Sequence, residues 1–191
     1  VRFYIFADFD IKVIKKTDQD YTDGEFAVTH AIAKYSCCSI TIFGGLSDAR
    51  EYNTDHFLGN LKLMRLGFNL HQKYNPKSYR YYAVMRDVLQ DIHFVVDSLT
   101  VERKGREIQK SPVNSHQSPI TSYQKVERIS LWTDYPNTDI KSSKNLKWSL
   151  KNFHVDPESP NAMRNEFVPY VRTASITLQG NSDPVYLIHN W

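Results

Sequence analysis

Apolar positions follow two different rhythms along this chain. In the first third they form short continuous runs alternating with helical stripes. Arg2-Phe3-Tyr4-Ile5-Phe6-Ala7 is too short for a stable helix and continuous enough for a strand buried on both faces. Lys12-Val13-Ile14-Lys15 reads as a second short strand. Val28, Ala31, Ile32 and Tyr35 recur at helical spacing over residues 24–35, predicting a helix with one core-facing stripe. Ser39-Ile40-Thr41-Ile42-Phe43 is a strand ending in Gly44-Gly45. From Asp55 onward Phe57, Leu61 and Met64 share one helical face. Past Gly67 the texture changes, and residues 71–91 are polar and Tyr-rich with a turn signal at Asn75-Pro76. Beyond them come only short apolar runs separated by turn residues: 93–96, 99–101, 129–132, 146–150, 174–178 and 185–188. Residues 110–124 are polar, carry two prolines and read as an exposed loop. No internal repeat occurs.

These rhythms predict α/β followed by all-β. The first part, residues 1–80, is a parallel, Rossmann-like α/β layer, and residues 81–191 are all-β, a β-sandwich. Parallel sheets bind ligands outside the carboxyl ends of their strands. The polar residues at those ends are therefore the candidate chemistry: Asp8, Asp10, Gln19, Asp23, Gly44, Gly45 and Asp55. Alternation in an extended chain puts Asp8 and Asp10 on one side, as a two-carboxylate clamp for a cation requires. The stretch Lys15 to Asp23 crowds acids and amides at a helix start, with Thr22 and Glu25 spaced as a capping box. Carboxylates so placed suit Mg2+, which takes one or two of them and completes its shell with water and phosphate oxygens. Taken alone, the same stretch reads better as a solvated turn than as a site, and its place at the strand ends is what brings in the metal and phosphate reading. Only two residues separate Asp10 from Val13, too few for a parallel crossover, so these two strands are antiparallel or intervening residues lie outside this sequence.

Composition narrows the classes. The 191 residues are 41% hydrophobic, enough for a buried core, and 24 Lys and Arg nearly balance 21 Asp and Glu. A net charge of +3 does not by itself argue for nucleic acid, although Lys and Arg within residues 102–128 keep a nucleic-acid-binding module as the least favoured reading. The two cysteines, Cys37 and Cys38, are adjacent, a poor pair for a structural disulfide, and predict reduced thiols. No run of about 18 apolar residues and no charged-then-apolar leader occurs, which predicts a soluble, cytoplasmic protein without a membrane partner. The chain opens at Val1 directly in an apolar run, which fits a preceding piece lying outside this sequence. The seven histidines show no zinc-type helical pair.

Five motifs in order resemble those of the thiamine pyrophosphokinases. They are Ala7-Asp8-Phe9-Asp10, then Thr17 to Asp23, then Gly44-Gly45 with Asp55-His56 and Gly59-Asn60 opening a helix. Ser142 to Leu150 resembles the family's Gly-Leu-Lys-Trp segment, and Asn165-Glu166-Phe167 its Ser-Asn-Glu-Phe motif. The resemblance runs over nearly the whole chain. It implies transfer of diphosphate from ATP to the hydroxyl of thiamine, giving thiamine diphosphate and AMP, with Mg2+. It further implies a homodimer whose active site lies at the subunit interface.

Carried over residue by residue, Asp8, Asp10 and Asp23 would be catalytic and hold the metal, and Asp55 would approach the reacting hydroxyl. Gln19, Asp20, Thr22, Gly44, Gly45, Arg50 and Asn60 would contact ATP or its phosphates. Ser143, Leu146, Trp148 and Asn165 would form the thiamine site, with Trp148 stacked on the cationic ring. The chain departs from the family pattern at Ala7 for Gly, Ile11 for Ser, Asn145 for Gly and Arg164 for Ser, and it lacks the helix-length segment between the first two motifs. These departures keep open a relative that binds thiamine or nucleotide without turnover. A diphosphokinase for another alcohol, such as a pterin, would use the same acids.

Overall fold

A computed structural model describes residues 2–6, 23–35, 38–43, 54–75, 81–86, 89–104, 126–159 and 161–191. Side chains of residues 2–6, 23 and 54–56 lie outside that description. Eleven strands and two helices are described. In chain order they are β1 (Arg2–Phe6), α1 (Asp23–Tyr35), β2 (Ser39–Phe43), α2 (Thr54–Tyr74), β3 (Tyr82–Arg86), β4 (Gln90–Val95), β5 (Ser98–Glu102), β6 (Arg128–Trp132), β7 (Asp139–Lys144), β8 (Phe153–His154), β9 (Asn165–Glu166), β10 (Thr173–Leu178) and β11 (Val185–Asn190).

They make a sheet-rich mixed fold. One sheet has seven strands in the order β1-β2-β3-β4-β11-β6-β9, and the other has four in the order β5-β10-β7-β8. β1, β2 and β3 run parallel, with Phe3 opposite Ile40 and Ile40 opposite Ala83. From β3 onward every pairing in that sheet is antiparallel. A single sheet thus runs across residue 80.

Alternation along the strands sorts side chains into two cores. Ile40, Ile42, Ala83, Met85, Ile92, Phe94 and Tyr186 pack with Val28, Ala31 and Ile32 of α1 and Leu61, Leu63 and Met64 of α2. Val95, Ile129, Leu131, Val185 and Leu187 point the other way, against Val101, Ile140, Ala174, Ile176 and Leu178 of the four-stranded sheet. β11 therefore contributes Tyr186 to one core and Leu187 to the other, which is why its sequence reads as an unbroken apolar run.

The helix expected from Asp55 begins at Thr54 and runs to Tyr74, into the polar residues 71–91. Gly67 is a packing glycine: a Cβ there would run into the Tyr81 hydroxyl and meet Ile40 Cδ1 at 2.7 Å. Tyr81 in turn donates its hydroxyl to the Met64 carbonyl at 2.7 Å. The run 146–150 reads as a strand yet forms only an isolated bridge, between Leu146 and Phe167. Asn145, at φ 60°, turns the chain out of β7 just before it. The expected strand at 12–15 and loop at 110–124 lie outside the described residues.

Candidate functional site

Two segments far apart in the sequence meet around Trp148. Beyond β7 the chain turns at Asn145, whose side-chain Nδ2 donates to the Thr173 carbonyl at 2.8 Å, while its own carbonyl accepts the Val168 N–H at 2.9 Å. Asn is among the residues that tolerate this left-handed conformation, so it serves where the related motif has Gly. Arg164, at φ 61°, makes the matching turn into β9, its N–H donating to Ser130 Oγ at 3.0 Å. Leu146 is buried in the second core, and the Lys147 N–H donates to the Glu166 carbonyl at 2.8 Å. Ser143 Oγ accepts the Leu150 N–H at 2.9 Å, closing the loop from the other side.

Asn165 is 5% exposed and brackets the Trp148 backbone. Its Nδ2 donates to the Trp148 carbonyl at 2.7 Å, and its Oδ1 accepts the N–H groups of Trp148 at 3.1 Å and Glu166 at 2.9 Å. The Trp148 side chain is left 52% exposed. The Lys147 ammonium lies 4.7 Å from its ring centroid and 2.9 Å from Glu166 Oε2. Such a ledge offers one aromatic face, one carboxylate and one ammonium to a planar ligand.

Of the residues expected at the nucleotide, Asn60 is described. It is buried in α2 at 7% exposure, and its Nδ2 has no hydrogen-bond partner among the described residues. A buried amide donor without a partner is uncommon and suits an acceptor oxygen supplied from outside. Asp23 opens α1 and Asp55 lies in the first turn of α2, with their side chains outside the description. Asp8, Asp10, Gln19, Asp20, Thr22, Gly44, Gly45 and Arg50 lie outside the described residues altogether. Among the described residues no group of three or more His, Cys, Asp or Glu could hold a metal ion. Asn60 sits on the helix side of the seven-stranded sheet, while Leu146 and Leu150, which flank Trp148, belong to the core on its other side.

A polar cluster that sequence reasoning missed lies on that second face, in register with Asn165 through Ile129 and His189. Asp91 stands opposite both Arg86 and His189 across the strands, and His93 follows two residues on. The Asp91 Oδ2 is 3.9 Å from Arg86 Nε, 3.8 Å from Lys104 Nζ and 3.9 Å from His93 Nε2. Burial raises the Asp91 carboxyl above its usual range, against the pull of Arg86, Lys104 and His189. Burial lowers His93 to about 3, helped by Arg86, His189 and Lys104. Glu127 Oε2 lies 2.8 Å from His189 Nε2 and accepts the Lys104 N–H at 3.0 Å. Polar residues at alternate positions of β4, Asp91 and His93 beside the apolar Ile92, Phe94 and Val95, are the sequence signal that would have found it.

Solved structures share this architecture. Thiamine pyrophosphokinase from Bacillus subtilis superposes with a TM-score of 0.61 at 17% identity, over 90% of this chain and 64% of that one. The chain has the fold of the thiamine pyrophosphokinases. The enzyme from Geobacillus thermodenitrificans gives 0.59 at 17% identity, covering 92% and 64%, and that from Candida albicans 0.51 at 13%, covering 80% and 44%. No protein-family model and no curated protein matches the chain. It spans 64% of the length of the two bacterial structures. At these identities the likeness to the thiamine pyrophosphokinases is one of fold. No helix among the described residues is long and apolar enough to cross a membrane.

Proposed function

We propose that this chain, in a cytoplasmic homodimer, transfers diphosphate from ATP to the hydroxyl of thiamine, giving thiamine diphosphate and AMP. The observation that carries the reading is the meeting of two motif segments around Trp148, on a chain with the thiamine pyrophosphokinase fold. The exposed indole suits a cationic heteroaromatic ring, an interaction worth about 0.5 to 2 kcal/mol. A Rossmann-like nucleotide layer and a β-sandwich are the finer architecture this reading carries. The orphan donor of Asn60 supports an ATP contact on α2. Because Asn60 and the Trp148 ledge belong to opposite faces of the large sheet, a second copy of the chain would complete the site.

Mg2+ would be held by Asp8, Asp10 and Asp23, whose hard carboxylate oxygens are the ligands this ion takes, and it would neutralise the phosphates during transfer. Asp55 would approach the thiamine hydroxyl. The remaining work assigned to the chain is positioning, the main contribution proteins make to phosphoryl-type transfer. The test is AMP release from ATP by the purified protein, with omission of thiamine or Mg2+ as controls. Release that depends on both supports the proposal. If both substrates bind and no thiamine diphosphate forms, a binding protein without turnover replaces it.

A further inference from the structure

We infer that Asn165 is a positioning residue that holds the Trp148 backbone in place, and that its side chain does not contact the ligand. The orientation of its amide is forced by the neighbours. Two N–H donors, of Trp148 and Glu166, face one end, which must be the oxygen, and the Trp148 carbonyl faces the other, which must be the nitrogen. Both acceptor sites of Oδ1 and one N–H of Nδ2 are thereby occupied by backbone, at 5% exposure. A side chain so occupied has little left to offer a ligand.

The clamp also explains the local conformation. Among the described residues, 146–150 form only one bridge to a neighbouring segment, so the N–H and carbonyl of Trp148 have no strand there to pair with. Asn165 replaces that missing partner with a single side chain. Asn165 itself pairs with Ile129 of β6, so the clamp ties the Trp148 loop to the seven-stranded sheet. The loop would otherwise be held by Ser143 Oγ at Leu150 and by the Lys147 bonds to Glu166. Neither touches the Trp148 peptide. With both polar groups of that peptide fixed, the indole leaves the loop in one direction and remains exposed for a planar ligand.

The consequence for affinity rests on the proposed thiamine site, whereas the clamp is read from geometry alone. The experiment therefore has two arms on the full chain. In the first, tryptophan is replaced by 5-fluorotryptophan and the fluorine resonances of Trp132, Trp148 and Trp191 are followed, with Trp148→Ala assigning one of them. Asn165→Ala is expected to shift and broaden the Trp148 resonance and leave those of Trp132 and Trp191 unchanged. An unmoved Trp148 resonance overturns the inference. Should Asn165→Ala fail to fold, Asn165→Asp serves. Its carboxylate keeps the acceptors but cannot donate to the Trp148 carbonyl, and protonation at low pH restores an O–H donor, so the resonance returns towards the wild-type position on acidification. A pH-independent resonance in that variant overturns the clamp.

In the second arm thiamine affinity is measured by calorimetry. Trp148→Ala and Asn165→Ala are each expected to weaken it by about 2- to 30-fold, the range of one cation–aromatic contact. The double variant is expected to be no weaker than Trp148→Ala alone, because both changes remove the same contact. Losses that multiply would mean that Asn165 touches thiamine directly, and the inference falls. If Trp148→Ala leaves thiamine affinity unchanged, the proposed thiamine site fails while the fluorine resonances still judge the clamp.

Discussion

Replacing His93 by Gln should flatten the acid side of the stability profile. The imidazole sits between Val84 and Leu187 across the sheet, with Nδ1 3.2 Å from the Tyr82 hydroxyl and Nε2 3.9 Å from Asp91. Its side chain is 7% exposed, so solvent screens it little. Burial first, then the charges of Arg86, His189 and Lys104, hold the folded pKa near 3 against 6.5 for the free side chain. Below pH 6.5 the unfolded chain therefore takes up a proton that the folded chain refuses until about pH 3. The contribution of neutral His93 is complete above pH 6.5 and is lost as the pH falls through that window. One proton corresponds to about 1.4 kcal/mol per pH unit, so acidifying from 6.5 to 4.5 removes at most about 2.7 kcal/mol.

Asp91 acts with the opposite sign. Its raised folded pKa means that acid protonates the native carboxyl first, which favours the fold as the pH drops. Because Asp91 is present in both proteins, its share largely cancels in the comparison. Urea unfolding of wild type and His93→Gln between pH 4.5 and 7.5 reads the difference directly. The gap in stability should narrow or reverse towards acid by about 1 to 2.7 kcal/mol. Parallel profiles would refute a neutral buried His93.

Two further outcomes follow from other parts of the molecule. Gly67→Ala should destabilise by about 1 to 3 kcal/mol in urea, because the new methyl displaces the Tyr81 hydroxyl from Met64 and overpacks Ile40, outweighing the roughly 1 kcal/mol that Ala gains over Gly in a helix. A variant as stable as wild type would show that the contact relaxes freely. On the proposed function, Asp23→Asn should abolish thiamine-dependent AMP release while circular dichroism and the urea midpoint stay unchanged, since the amide keeps the shape but loses the charge that holds Mg2+. Turnover near the wild-type rate would remove Asp23 from the mechanism.

The elements that could be read directly from residue order are those whose signal is local. The stripe of Val28, Ala31, Ile32 and Tyr35 marked a helix over 24–35, and α1 occupies Asp23–Tyr35. The run Ser39 to Phe43 is β2 in full, and the run from Ala174 to Leu178 lies within β10. Alternating strands and helices implied the parallel pairing of β1, β2 and β3. Periodicity records which face of a segment seeks the core, and that much is carried by neighbours a few residues apart.

Which segments then meet is decided by pairings between distant residues. The last strand, β11, enters between β4 and β6, joins the α/β part to the antiparallel part and turns alternate side chains into two different cores. Gly67 gains its role only when Tyr81, just before β3, and Ile40 of β2 fill the space where a side chain would stand. Asp91 and His93 look like ordinary polar residues until Arg86, Lys104, Glu127 and His189 gather beside them. Motif order suggested both Trp148 and Asn165 as ligand contacts, and only the folded chain distinguishes the exposed indole from the buried amide that holds it. The sequence by itself determined the elements whose signal is local, such as α1, β2 and β10, and the residue types available for chemistry. Their roles depend on burial and on hydrogen bonds between segments far apart in the chain, and those exist only once the sheets have formed.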